Sequence, residues 1–219
     1  MMKNTLHILL IIFLLNSCEN ETKKSTTKAA ETTKKTTKVA KKDISKVDYP
    51  LDSLLAFDSE EALKKVFGKH IKRSVGYYPE GMGEYEMTLL FPDSKNQVEF
   101  VWEEDSSDMN KLQYIRIFSK GTDWKTKEGI TIGTTMKELE VFNKKPFAFF
   151  GFEWDYSGSI DWKDGTLSKR NIYGNLELPD ATMTGQFVDL LGDISIETSS
   201  KSAQKAKPIL REIIMKRAN

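Results

Sequence analysis

Glu84-Tyr85-Glu86-Met87-Thr88-Leu89-Leu90-Phe91-Pro92-Asp93-Ser94, followed three residues later by Val98-Glu99-Phe100-Val101-Trp102-Glu103, is the stretch that decides the fold. Tyr85, Met87, Leu89 and Phe91 share one parity, and Glu84, Glu86 and Thr88 the other. Val98, Phe100 and Trp102 alternate in the same way with Glu99 and Glu103. Successive side chains on a strand point to opposite faces, so two such runs joined through Pro-Asp-Ser predict an antiparallel pair with one wet face. Leu112 to Phe118 adds a third strand. Upstream, Asp58-Ser59-Glu60-Glu61 opens a short helix, with Asp58 as its cap answered by Glu61. Ala62, Leu63, Val66 and Phe67 form its apolar face, and Gly68 stops it. Helix followed by meander predicts the α+β class, with short helices packed on one face of an antiparallel sheet.

Working outward toward the C-terminus, the plan repeats. Thr135-Met136-Lys137-Glu138 is a capping box, and Met136 with Leu139 begins an apolar stripe that ends before Pro146. Strands are expected over Phe147–Tyr156, Ile160–Leu167 and Ile172–Leu178, so the domain divides into two helix-plus-meander sub-units, 48–126 and 127–219. Seven of the 23 aromatic residues fall between Phe147 and Trp162. Within that strip Phe150, Phe152, Trp154, Tyr156, Ile160 and Trp162 keep one parity, and acidic or small residues keep the other. A three-residue turn at Ser157-Gly158-Ser159 would set Tyr156 opposite Ile160 and Trp154 opposite Trp162. An unbroken strand would keep the same parity. The row is either the apolar face packed on the Thr135–Asn143 helix or an exposed platform of Phe150, Phe152, Trp154, Tyr156 and Trp162 for a sugar polymer, peptide or edge strand. Ile209, Leu210, Ile213 and Ile214 after Pro208 suit either a last helix or a closing strand.

Charge divides the 219-residue chain. Its 33 Lys+Arg and 32 Asp+Glu give a formal net charge of +1, which argues against a dedicated nucleic-acid binder. Residues 18–47 hold nine Lys against three Glu and one Asp, while residues 48–219 hold 23 basic against 28 acidic side chains. A basic strip therefore precedes a mildly acidic domain. The strip has no aromatic residue and only Val39, Ile44 and Val47 as larger apolar groups, so it is expected to be a disordered tether. It serves either as a solvated spacer or as a segment resting on anionic head groups. The domain of residues 48–219 is long enough to bury roughly 70% of its unfolded surface.

The first residues read as an export signal over 1–17. Lys3 is the positive start, and the apolar run Leu6–Leu15 is too short to span a bilayer. Leu15-Asn16-Ser17-Cys18 then closes it, and this resembles the lipobox of bacterial lipoproteins, with Leu at −3, a small residue at −1 and Cys at +1. The resemblance implies removal of the signal and acylation of Cys18, and two or three acyl chains hold a protein firmly to a membrane. Glu19 stands where the resemblance to an inner-membrane retention signal would need Asp, so the outer membrane is expected.

Candidate chemistry is sparse. The single cysteine excludes an internal disulfide and a multi-cysteine zinc site. Beyond residue 18 the only histidine is His70, placed where it would help neutralise the last carbonyls of a helix. Ser202-Ala203-Gln204-Lys205 matches S-x-x-K without the companion segments of that catalytic set. Glu103, Glu104, Asp105 and Asp108, and separately Asp155, Asp161 and Asp164, offer carboxylates but not the spacing of a calcium loop. No phosphate-binding or dinucleotide fingerprint is present, so neither cofactor nor metal is expected.

Gly129-Ile130-Thr131-Ile132-Gly133-Thr134-Thr135-Met136-Lys137-Glu138-Leu139, with Pro146, resembles the opening of the small periplasmic modules of the SmpA/OmlA type. Those share a helix-plus-hairpin plan with β-lactamase-inhibitor proteins. Asn143-Lys144-Lys145-Pro146 departs at two positions from that family's Leu-Gly-x-Pro ending. The resemblance implies an α+β protein-binding module without catalysis. Together these readings lead to an expected envelope lipoprotein, held to membrane lipid through Cys18, whose non-catalytic domain binds another envelope protein or glycan and no nucleic acid. The alternatives are a carboxylate hydrolase using Glu103 with Asp108, or a glycan-binding module through the 147–162 strip.

Overall fold

In the computed structural model, residues 49–78, 82–104, 108–180 and 185–218 are described. The expected signal, the tether and Cys18 lie outside them. All described residues belong to one unit, Lys42–Asn219. Among the described residues, two antiparallel sheets and three short α-helices, with several 3-10 turns, make an α+β fold.

Helix α1 spans Glu60–Phe67. Its cap is Ser59, not Asp58: the Ser59 hydroxyl accepts from the Ala62 amide, and Asp58 accepts in turn from Ser59 at 3.2 Å. Leu63 and Phe67 enter the core, while Val66 stays outside, and Gly68 ends the helix at φ 54°. That positive φ is why a glycine stands there.

Four strands follow as a meander: β1 (Ile71–Tyr77), β2 (Glu84–Leu90), β3 (Val98–Trp102) and β4 (Leu112–Ile117). The register of β2 differs from the parity reading. Leu90 lies opposite Val98 and Thr88 opposite Phe100, so Leu90 and Thr88 share the core face with Val98, Phe100 and Trp102. Tyr85 and Met87 face the other way and form a second cluster with Val101, flanked by Tyr78, Leu89 and Tyr114. The second face of the sheet is therefore also partly apolar rather than simply wet. Thr88 can sit fully buried because its hydroxyl accepts from Trp102 Nε1 at 3.0 Å and donates to Glu60 at 3.1 Å.

The second half is not a repeat of the first. Helix α2 (Met136–Asn143) forms as the capping box predicts, with Thr135 accepting from the Glu138 amide and Glu138 accepting from the Thr135 amide. The expected long strands are short: β5 is Ala148–Phe150 and β6 is Ile160–Asp161. These pair with β8 (Ser195–Glu197) in a three-stranded sheet ordered β6-β5-β8. β7 (Ile172–Glu177) leaves them and joins the large sheet. After helix α3 (Lys201–Ala206), the ambiguous end is strand β9 (Ile209–Met215). It inserts between β4 and β7, giving the order β1-β2-β3-β4-β9-β7. The large sheet thus draws strands from both expected sub-units.

The aromatic parity fails for the same reason. Phe149 lies opposite Ile160, so the connection is not a three-residue turn, and Trp154 and Tyr156 do not sit on a strand. Phe152 instead bridges Leu191 in parallel.

Candidate functional site

The aromatic strip divides into core and surface residues. Phe147 and Phe149 are buried, as are Phe152 (5% exposed) and Trp162 (6%). Trp162 donates to the Ile172 carbonyl at 2.6 Å and packs against Phe147 with ring centroids 5.0 Å apart. These four hold the small sheet to the core, which removes Phe152 and Trp162 from any platform. Phe150 (37%), Trp154 (61%) and Tyr156 (69%) face solvent. The Phe150 and Tyr156 rings lie 5.9 Å apart at 45°.

The loop displaying them, residues 151–158, is clamped at both ends. On one side the Gly151 amide donates to the Ile194 carbonyl (2.9 Å) and Phe152 to Leu190 (2.8 Å), while Gly192 donates back to Phe152 (2.9 Å). On the other, Gly158 donates to Phe150 (3.0 Å) and Leu176 donates to Gly158 (2.7 Å). The backbones approach closely on both sides of the loop, which only glycine permits at Gly151 and Gly158. A Cβ on Gly151 would lie 2.4 Å from the Gly192 carbonyl oxygen, and one on Gly158, at φ 73°, 2.0 Å from that of Leu176. Inside the loop, Ser157 donates to Trp154 and Ser159 to Tyr156 at 2.9 and 2.8 Å. The Trp154 indole rests beside Gly192, where a Cβ would stand 3.5 Å from Nε1. Among the described residues, the exposed carboxylates of Glu153, Asp155 and Asp193 have no hydrogen-bond or ion-pair partner. A hollow of about 160 Å³ opens beside the loop, bordered by Phe152, Glu153, Ser157, Leu178 and Arg211.

Of the other candidates, Asp105 lies outside the described residues, and most of the rest have partners. The His70 ring packs edge-on to Phe91. Ser202 donates to Asp189, and Lys205 lies over the Phe187 ring at 5.8 Å, so the S-x-x-K pair faces two separate partners. Asp164 pairs with Lys145 at 2.5 Å. Asp161 pairs with Lys163 at 3.1 Å, and the Lys163 amide and ammonium hold its carboxyl below the usual carboxylate range. Glu103 pairs with Lys111 at 3.5 Å and borders a cleft of about 630 Å³ with Tyr173 and Lys216; Asp108 is not part of that cleft's lining. Among the described residues, no group of three His, Cys, Asp or Glu side chains is placed to hold a metal ion.

No family model matches the chain, and no curated protein matches it. Among solved structures, the crystal structure of the uncharacterized protein yfeY from Escherichia coli is similar at 11% identity and a TM-score of 0.41. The match covers 73% of this chain and 89% of that one.

Proposed function

We propose that the chain is an envelope lipoprotein, anchored through acylated Cys18, whose α+β domain binds another envelope component and catalyses nothing. The observation that carries the proposal is the segment Leu15-Asn16-Ser17-Cys18, which closes a short apolar run and opens onto twenty-nine residues of polar, Lys- and Thr-rich sequence, 19–47. A cysteine in that position has no apolar neighbourhood to bury it on its C-terminal side, and acylation gives it a use. Glu19 favours the outer membrane. The binding role is supported by the sequence, where Ser202-x-x-Lys205 lacks the companion segments of its catalytic set and Gly129–Leu139 resembles small periplasmic protein-binding modules.

The test is Cys18→Ala in the producing cell. Metabolic labelling with a palmitate analogue should be lost, and the chain should accumulate as a longer precursor that keeps the Leu6–Leu15 run. A Cys18→Ala chain that still takes up the label would overturn the anchoring.

A further inference from the structure

We infer that the clamped loop 151–158 is a saccharide-binding surface, and that its ligand is a chain of N-acetylated amino sugars. The inference rests on the reading of the domain as a non-catalytic binder and names the ligand of that domain. Three features lead to it. First, the backbone that displays the exposed rings is fixed before binding: the loop is tied by backbone hydrogen bonds to Leu190, Ile194 and Leu176, so little backbone entropy remains to be lost when a ligand stacks on them. Exposed Trp and Tyr on a rigid loop, next to Phe150, offer flat apolar faces of the size of a pyranose ring.

Second, the polar groups around these rings are acceptors without partners. Glu153 and Asp155 flank Trp154 in the chain, and Asp193 follows the glycine on which the indole rests. A sugar presents C–H groups on one face and hydroxyl donors around its rim, which matches flat rings bordered by free carboxylates. The same carboxylates repel anionic head groups, so a lipid surface fits poorly. The rings also stand out on a turn rather than lining a groove, which leaves no trough for a helix.

Third, the hollow of about 160 Å³ beside the loop combines apolar Phe152 and Leu178 with polar Glu153, Ser157 and Arg211. That mixture suits an acetamido group, whose methyl takes the apolar wall while its amide donates to and accepts from the polar one.

The experiment uses the intact chain in a polyoxyethylene ether detergent, which carries no sugar head group. Trp102, Trp124 and Trp162 are buried, so iodide quenching of tryptophan fluorescence reads Trp154. Chitohexaose should give a saturable blue shift and protect Trp154 from iodide. By calorimetry, Trp154→Ala should weaken binding about tenfold and Tyr156→Ala about threefold, the range expected for one aromatic stack each. Both variants should keep the wild-type urea midpoint, since neither ring is part of the core. The sugar should be recovered uncleaved.

Three results overturn the proposal: no saturable response to chitohexaose, unchanged affinity in the Trp154→Ala/Tyr156→Ala double variant, or a blue shift with phosphatidylethanolamine–phosphatidylglycerol vesicles and none with sugar. Equal affinity for maltohexaose overturns the N-acetyl assignment. If sugar binding fails while Cys18-dependent anchoring holds and the domain still retains an envelope component, the inference falls and the broader reading stands. If the sugar is cleaved, the non-catalytic reading falls instead.

Discussion

Phe152 and Trp154 stand two positions apart and do opposite work. Phe152 packs on Phe149 with centroids 5.5 Å apart inside the core, whereas Trp154 is 61% exposed, with its indole edge beside Gly192. Phe152→Ala should therefore cost about 3–5 kcal/mol in urea unfolding, and Trp154→Ala should stay within about 0.5 kcal/mol. Equal losses would mean that the loop is not displayed as described. Their shared parity marked both as aromatic candidates in the sequence, but which would face solvent was not legible. That is decided at Gly151 and Gly158, by close approaches to Gly192 and Leu176 from distant parts of the chain. Glu60 makes a different residue-scale prediction. The Arg73 guanidinium donates to both its oxygens at 2.9 and 2.7 Å and holds its carboxyl below the usual carboxylate range, with Thr88 adding a hydrogen bond. As pH falls below about 4.3, the unfolded chain protonates Glu60 before the folded one does. The stability from this pairing is thus complete above that pH and is lost as pH falls toward the lowered folded value. Glu60→Gln should flatten that part of the acid limb in a pH series of urea midpoints; an unchanged limb would show that the pair is not coupled to folding.

Elements differ in how far their own residues specify them. Helix α2 is closed by a capping box whose four residues are contiguous, so Thr135–Glu138 was readable without any tertiary information. Thr135→Ala should lower stability by about 1 kcal/mol at unchanged m-value, measured by urea unfolding. A change in m instead would mean that the helix had detached from the sheet. Strand β2 is the contrary case. Tyr85, Met87 and Leu89 on one parity and Thr88 with Leu90 on the other are all wholly or largely removed from water, so the apolar count could not choose its core face. The choice falls to the 91–97 turn, where Phe91 and Asp93 take φ of 52° and 59° and Ser94 donates to the Phe91 carbonyl at 2.7 Å. One residue more or fewer there would exchange the two rows. The polar row then needs satisfaction inside the core, which Trp102 and Glu60 supply to Thr88. That hydrogen-bonded chain joins helix α1 to the sheet through groups with no sequence signature. Glu99 is its counterpart on the opposite face, buried against Arg116, which also reaches Glu212 on β9 at 3.6 Å.

At the scale of the whole molecule, the large sheet depends on a strand from far along the chain. β9 pairs with β4 on one side and β7 on the other, and Ile213 lies opposite both Ile117 and Gly174. Gly174 has no room for a side chain, since a Cβ there would come 2.8 Å from the Glu212 carbonyl oxygen and 2.9 Å from Leu210. Ile213→Ala should cost about 2–5 kcal/mol, while Val75→Ala on edge strand β1 should cost under about 1 kcal/mol. Comparable urea midpoints for the two would contradict a central β9. The class of the fold was legible because the early meander is made of neighbours in sequence. The sheet order was not, because alternation along Ile209–Met215 says nothing about which strands it separates. This placement also has a consequence in time. β4 ends at Ile117 and its outer partner begins at Ile209, so the meander emerges with one flank unpaired while some 90 further residues are delivered. At about 5–20 residues per second that is roughly 5–20 s during which an open strand is presented to its surroundings. A nascent chain with that interval needs an escort, or a route on which it is kept extended until β9 arrives.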